Sequence, residues 1–354
     1  MKKLSVCILF GGVSPEHEIS LRSAESVLRN IDHEAYNIYP VGITKDGAWI
    51  LFGGKDYSAL PAGTWIDCPQ NRPAALSPVR GQGLLIFESD CVVHERIDVV
   101  FPVLHGENGE DGSIQGLLQI AGLPYVGADV AASAHCMDKS MTKLIAAQAG
   151  IRQAPWQLIT ARSWEKRRSD VIAQLESALS YPIFIKPAGT GSSVGISKIK
   201  SRGELESAVT GAFRYDSKVL AEAFIDAQEV EVAVLGNDNP CASVCGEIEA
   251  GAEFYDYEAK YLSDCASFYI PARLPEDVAE RVRETAVKVY TAMECRGLAR
   301  VDFFVRRGDH AVIFNEINTI PGFTSISMYP KLFAASGIPY PALIDDLIRL
   351  SLEE

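Results

Sequence analysis

Long apolar runs are missing from this chain: none of about 18 consecutive hydrophobic residues occurs in its 354, which argues against a membrane-spanning helix. Met1-Lys2-Lys3 leads straight into Leu4 to Phe10 with no small-residue cleavage site, so no secretory leader is expected and the chain reads as cytosolic. The eight cysteines, at 7, 68, 91, 136, 241, 245, 265 and 295, form no CxxC pair and have no histidines at zinc-like intervals. Reduced, buried thiols are expected. Positive charge is also short. A formal net charge of -13 opposes general affinity for nucleic acid or anionic membranes. Internal repeats, coiled-coil heptads and low-complexity segments are absent as well.

What is present is an ordinary globular composition, 47% hydrophobic and 22% charged, over a length that suits two or three domains. Leu4 to Phe10 reads as a buried strand ending at Gly11-Gly12. Ser14-Pro15 then gives an N-cap with proline at the first helical position, and Ala24, Val27, Leu28 and Ile31 supply the apolar stripe. This is the strand, turn and helix of an open α/β domain, without the GxGxxG dinucleotide fingerprint. Glu16, at the helix mouth, is either an acid favoured by the helix dipole or a ligand for a substrate ammonium. Residues 45 to 95 are rich in glycine and proline and read as hairpins and loops. The next buried strand, Arg96 to Leu104, delivers His105-Gly106-Glu107-Asn108-Gly109-Glu110-Asp111-Gly112 at its carboxyl end, where open α/β sheets place their ligands. His105 in isolation is more often a satisfied structural histidine.

A second α/β unit begins near Met137-Asp138-Lys139, with a helix through Lys143 to Ala149 that ends at Gly150. Pro182 to Pro187 reads as a short strand carrying Lys186. Ala188 to Gly195 follows, a turn with three glycines and the hydroxyls of Ser192 and Ser193, and runs into a second strand. Backbone N–H groups and hydroxyls in such a lid can hold phosphate oxygens. It is not a Walker loop, which needs its lysine after the glycines and a helix behind it. Glu222 and Glu229, on the next two strands, suit either a nucleotide's adenine and ribose or solvent. Phe254 to Tyr261 has three tyrosines and a lysine with no clean period, the composition of a functional lid.

Two strand-like runs near the end, Val301 to Phe304 and Val312 to Asn318, flank the turn Arg306-Arg307-Gly308-Asp309. Alternation along a strand lets Asp302, Glu316 and Asn318 face one side together. Two carboxylates and an amide, with no softer ligand, suit Mg²⁺, whose remaining oxygens commonly come from substrate phosphates. The turn Thr319 to Met328 and a closing helix with Leu343, Ile344, Leu347 and Ile348 on its core face complete the chain.

Taken in order, FGGVSPEHEIS at residues 10 to 20, HGENGEDGSIQG at 105 to 116, MDK at 137 to 139, IKPAGTGSSVG at 185 to 195, YDYEAKY at 255 to 261, ARVDFF at 299 to 304 and FNEINTIPGFTSISMYP at 314 to 330 resemble the ATP-grasp superfamily. Within it the chain is most similar to the D-alanine:D-alanine ligase family. The resemblance implies an α/β chain, α+β in its ATP-binding part: an ATP-grasp fold behind an N-terminal open α/β domain. Its parts would be residues 1–136, 137–228 and 229–354.

The implied reaction passes the γ-phosphate of ATP to the carboxylate of one D-alanine, and the amine of a second attacks the acyl phosphate. The product would serve peptidoglycan synthesis. By resemblance, Asp302, Glu316 and Asn318 would hold two Mg²⁺ (or Mn²⁺). Lys139 and Lys186 would neutralise the α- and β-phosphates, Lys260 would reach the γ-phosphate, and Ser193 would hold phosphate oxygens. Glu222 and Glu229 would bind adenine and ribose. Glu16 would anchor the first ammonium with His105 nearby, Arg300 and the Gly322 N–H would form the oxyanion site, and Ser327 and Met328 would border the second amino acid. Glu16, Ser192 and Tyr261 would latch the tyrosine loop over the site and exclude water. Family members often carry a basic or larger residue where this chain has Gly189-Thr190, so neither receives a role. The vancomycin-resistance type, D-alanine:D-serine or D-alanine:D-lactate ligase, is the alternative. Tyr261 disfavours lactate, and the apolar Met328 suits a methyl better than a hydroxymethyl. Family members are commonly homodimers.

Overall fold

A computed structural model describes residues 3–191, 194–249 and 267–353. Among the described residues three sheets succeed one another. The first has seven strands in the order Val92–Glu95, Leu84–Phe87, Arg72–Leu76, Trp49–Leu51, Tyr36–Ile43, Leu4–Gly11, Val99–Pro102. Leu4–Gly11 lies between two parallel partners, which is why its sequence is a near-continuous apolar run with no alternation. The glycine-rich region between 45 and 95 supplies the antiparallel extension of this sheet.

The helix after the first strand begins later than the sequence suggests. It spans His17–Asn30 with Glu16 as its N-cap residue. Ser14 does not cap it, because its Oγ accepts instead from the Glu16 N–H at 3.1 Å, a local turn that competes with the helix. Glu16 therefore stands at the mouth, outside the first turn. Gly11 and Gly12 have φ of +84° and +100°, and a methyl on Gly11 would stand 2.2 Å from the Ile43 carbonyl oxygen. Only glycine meets both demands.

The second sheet has four antiparallel strands in the order Ser197–Ile199, Ile183–Pro187, Lys218–Ala223, Trp156–Thr160, backed by the helices Ala161–Ala178 and Arg202–Ala212. The third is built round Ala227–Leu235, Leu298–Arg306 and Val312–Asn318, so the expected boundary at 228/229 falls just inside a strand. The helix Glu276–Ala292 covers this sheet with Val278, Val282, Ala286, Val289 and Tyr290.

The two ends of the chain share one core. Leu343, Ile344, Leu347 and Ile348 of the closing helix pack with Leu21, Ala24, Val27 and Leu28 of the first. Phe323, fully buried, meets Phe101 edge-on at 5.8 Å and Tyr329 at 5.5 Å between ring centres. Burying a phenylalanine contributes about 1.5–3 kcal/mol. The turn Thr319 to Ser327 is thereby fixed to the first sheet, a junction the site requires. The described cysteines are free thiols, but Cys91 and Cys241 are exposed, against the expectation of burial. Among the described residues no helix is long and apolar enough to cross a membrane.

Candidate active site

The hairpin of Leu298–Arg306 and Val312–Asn318 sets Asp302 directly opposite Glu316 and Arg300 opposite Asn318. A bulge after Asp302 leaves Asn315 as the extra residue, since Phe303 pairs with Phe314; bulges commonly re-aim side chains beside sites. The Arg300 guanidinium forks onto both Asp302 oxygens at 2.7 Å and reaches Glu231 at 3.1 Å. The Asn318 amide donates to Asp302 Oδ2 at 3.1 Å. Burial opposes the charge on Arg300, but Asp302 and Glu231 outweigh it and raise its pKa. Among the described residues no group of three His, Cys, Asp or Glu side chains is poised for a metal. The set at hand is two carboxylates and an amide, and this all-oxygen donor set fits a hard divalent cation.

Across the cleft stands the helix Lys139–Gln148. It starts four residues before the expected Lys143, because Asp138 caps it by accepting from the N–H groups of Ser140 and Met141. Lys139 donates to the Thr190 carbonyl at 2.6 Å and lies 3.9 Å from Glu316 Oε2. Its backbone N–H donates to the Ala188 carbonyl at 2.9 Å. The Gly189 N–H donates to Asp216 at 2.7 Å, and the Thr190 hydroxyl to the Val194 carbonyl at 3.1 Å. Gly189 and Thr190, left without a role by resemblance, thus tie down the base of the lid. Lys139, Thr190, Gly191, Glu316 and Asn318 line one cleft.

Lys186 and Glu222 meet in the interior. Glu222, 2% exposed, accepts from Lys143 on one oxygen and from Lys186 on the other, the latter at 2.6 Å. Burial alone would raise its pKa, but the two ammoniums prevail and bring it down to about 2. Lys186 is likewise penalised by burial and restored above its usual value by Glu222. Glu229 is exposed on Ala227–Leu235, close enough to add to the field on Lys186.

A second opening joins the lid to the first sheet, with Glu16, Gly106, Gly191 and Asp216 on its walls. A methyl on Gly106 would stand 2.5 Å from Glu16 Oε2, and one on Gly191 3.1 Å from it, so both glycines are close neighbours of that carboxylate. His105 bridges elements: Nδ1 is 3.2 Å from the Ile320 carbonyl oxygen and Nε2 3.0 Å from Ser23 Oγ. Burial pushes its pKa down although Glu16 pulls it up. A neutral imidazole donating from Nδ1 and accepting at Nε2 satisfies both bonds. That geometry makes His105 a tie between the first sheet and the 319–328 turn.

Glu110, which the sequence reading passed over, lines the cleft beside Lys139 and accepts from the Gly106 N–H at 2.8 Å. Burial first, then Glu16, push its carboxyl up to about 8. Its place three residues beyond Glu107 in an acidic loop gave no hint of this.

Ser327 stands against Gly322, where a methyl would lie 2.7 Å from its Oγ, and accepts from the Thr324 N–H at 3.0 Å. Met328 turns away into the core, 5% exposed, among residues that include Leu332. Ser192, Ser193, Lys260 and Tyr261 lie outside the described residues.

Two family models match the chain, "D-ala D-ala ligase N-terminus" over residues 5–128 and "D-ala D-ala ligase C-terminus" over 145–349. This chain belongs to the D-alanine–D-alanine ligase family. Relatives named D-alanine–D-alanine ligase include one from Caldicellulosiruptor bescii, 49% identical across 100% of this chain and 96% of its own length. Another, from Acetivibrio thermocellus, is 48% identical across 99% and 96%. Among solved structures, a D-Ala:D-Ser ligase from Enterococcus faecalis aligns with a TM-score of 0.90 and 37% identity over 99% of this chain and 100% of that one. The D-alanine–D-alanine ligase from Coxiella burnetii aligns with 0.85 and 34% identity over 99% and 94%. The fold is thus that of the ATP-grasp ligases, an α/β architecture.

Proposed function

We infer that the chain is an ATP-dependent ligase that joins two D-alanines, through a D-alanyl phosphate, into the dipeptide used for peptidoglycan precursors. The observation that carries this is one cleft walled by Lys139, Thr190 and Gly191 on one side and Glu316 and Asn318 on the other, opening under the lid toward Glu16. Along it Lys139 offers a positive charge to a phosphate and Glu16 a negative one to an ammonium.

In this reading Glu16 holds the first D-alanine by its ammonium and so points the carboxylate at the nucleotide. Lys139 and Lys186 take charge from the phosphates, with Lys260 and Ser193 adding to them. Asp302, Glu316 and Asn318 hold two Mg²⁺ (or Mn²⁺), which when bound neutralise the phosphate oxygens and favour phosphoryl transfer. A carboxylate is a poor electrophile; once phosphorylated it carries a leaving group, and the second amine expels phosphate. Arg300 and the Gly322 N–H would then steady the tetrahedral oxyanion, positioning and electrostatics being the main contribution in such transfers. Ser327 and Met328 belong to the acceptor's side in this assignment. Glu229 takes the ribose. Glu222, with two of about four acceptor sites used, keeps room for the adenine amino group. Glu16, Ser192 and Tyr261 latch the loop. His105 serves by fixing the turn that carries Gly322. The division into 1–136, 137–228 and 229–354 assigns the substrate, lid and metal roles to separate parts. A homodimer in the cytoplasm is the expected form.

The alternative, with D-serine as the acceptor, is not favoured by the relatives named D-alanine–D-alanine ligase, although a D-Ala:D-Ser ligase shares the fold. Phosphate release from ATP with Mg²⁺, given D-alanine alone and then D-alanine with D-serine or D-lactate, separates the two once products are weighed. D-alanyl-D-alanine from D-alanine alone supports the first; mixed product only would select the second, and no product would refute both.

A further inference from the structure

Lys143 is a buried charge that the reaction as described does not use. It sits one helical turn beyond Lys139 on Lys139–Gln148, so the two lysines share a face. Its side chain is 3% exposed, and its ammonium is held by Glu222 Oε1. The other oxygen of that carboxylate holds Lys186, whose Nζ also lies 3.5 Å from Asn315 Oδ1, on the bulge beside Glu316. Counting direct contacts, one carboxylate between two ammoniums leaves the cluster with a surplus positive charge, which the more distant Glu316 and Glu229 offset in part.

That surplus decides what Lys186 can do. A lysine paired one-to-one with a buried carboxylate is neutralised by it, and the low local dielectric makes such a pair hard to pull apart. With Lys143 occupying the far oxygen, the pull of Glu222 is divided. Lys186 stays charged, with its Nζ 3.5 Å from Asn315 on the cleft wall, and is not bound to Glu222 alone.

We propose that Lys143 is a positioning residue for nucleotide binding: its fixed ammonium holds Glu222 so that the charge of Lys186 remains available to a phosphate in the cleft. This rests on the reading of Lys186 as a phosphate ligand. Without Lys143, Glu222 draws Lys186 inward, and the nucleotide loses a cation that the protein still contains.

Three full-length variants test it. Lys143→Gln keeps a hydrogen-bond donor and loses the charge, Lys143→Met loses both, and Lys143→Arg keeps the charge. The expected result for Lys143→Gln is a rise of about tenfold in the KM for ATP, with the KM for D-alanine within twofold of wild type; one lost charge-assisted contact has this order of size. Lys143→Arg restores most of the ATP affinity. Lys143→Gln supplies the comparison should Lys143→Met fail to fold. Lowered melting temperature and lowered kcat with both KM values unchanged would mean that Lys143 is only structural, and would overturn the proposal. Lys186→Met serves as the control. If it raises the ATP KM while Lys143→Gln does not, the proposal alone is wrong; if Lys186→Met leaves ATP binding untouched, the phosphate role of Lys186 falls and takes the proposal with it.

Discussion

Glu222 offers a test of the buried cluster that needs no substrate. Its carboxyl is held at about 2 in the folded chain against an ordinary 4.5, and it is essentially fully buried. At ~1.4 kcal/mol per pH unit, ionised Glu222 contributes ~3 kcal/mol to stability near neutrality. A depressed carboxyl pKa means that the unfolded chain takes up the proton first as pH falls. The contribution is therefore whole above about pH 5 and fades from there toward pH 2. Glu222→Gln mimics the protonated side chain at every pH and leaves two buried ammoniums without a counter-charge, which typically costs about 3–5 kcal/mol. The stability gap between wild type and variant should thus be wide at pH 7, nearly unchanged at pH 5, and narrower by ~2 kcal/mol at pH 3. Urea unfolding of both proteins, followed by tryptophan fluorescence and circular dichroism across that range, measures it. A gap of the same width at pH 5 and pH 3 would refute the argument, since the carboxyl would then titrate alike in both states.

Glu316→Gln should lower kcat by at least ~100-fold while ATP still binds in equilibrium dialysis; an unaltered rate would remove Glu316 from the metal site. Gly322→Ala puts a methyl 2.7 Å from Ser327 Oγ and so must move one of them, for an expected loss of ~10–100-fold in kcat at unchanged ATP KM, part of it regained when Ser327→Ala is added. Equal rates in steady-state assays of Gly322→Ala and wild type would count against an oxyanion role. Glu110, raised to about 8, opposes folding increasingly as pH climbs from the ordinary carboxyl range toward 8, because the folded chain holds the proton that the unfolded chain has released. Glu110→Gln should accordingly melt a few degrees higher than wild type at pH 8 and no higher at pH 4.5 in scanning calorimetry; parallel curves would contradict the shift.

The hairpin was legible in the sequence because a period of two fixes which side chains of one strand share a face; setting Asp302 opposite Glu316 also takes a bulge, since the register nearer the turn, Val305 with Val312, would otherwise bring Asn315 opposite Asp302. The bulge was not legible. It adds one residue without a glycine to announce it, and only pairing shows that Asn315 is the extra one. The helix Ala161–Ala178 left little trace for a similar reason. It buries only Trp164, Val171, Ile172 and Leu175 and departs from helical geometry at Arg167, too sparse a stripe to read as a period. Charge partners were the least readable. Glu222 meets lysines 36 and 79 positions away, and His105 meets a carbonyl 215 positions away. Such contacts decide whether an acid is solvated or an imidazole neutral, and no local pattern carries them.

Met328 shows what that costs a specificity argument. In the sequence it reads as an apolar wall beside the acceptor, favouring a methyl over a hydroxymethyl. In the structure it opens the helix Met328–Ala335 and packs over Gly246, where a methyl would come within 2.2 Å of Met328 Cε and 2.8 Å of Leu332. A side chain so enclosed acts on an acceptor through the helix start it anchors, next to Ser327. Met328→Leu, close in volume, should cost under about 1.5 kcal/mol and leave the KM for the second D-alanine within about threefold, less than the ~10–200-fold that a methylene in direct contact can decide. Steady-state kinetics and a thermal melt on one preparation check both. A tenfold rise in acceptor KM at unchanged stability would return Met328 to the pocket wall and restore the original argument for D-alanine over D-serine. Preserved kinetics would move that choice to residues that line the acceptor's space directly.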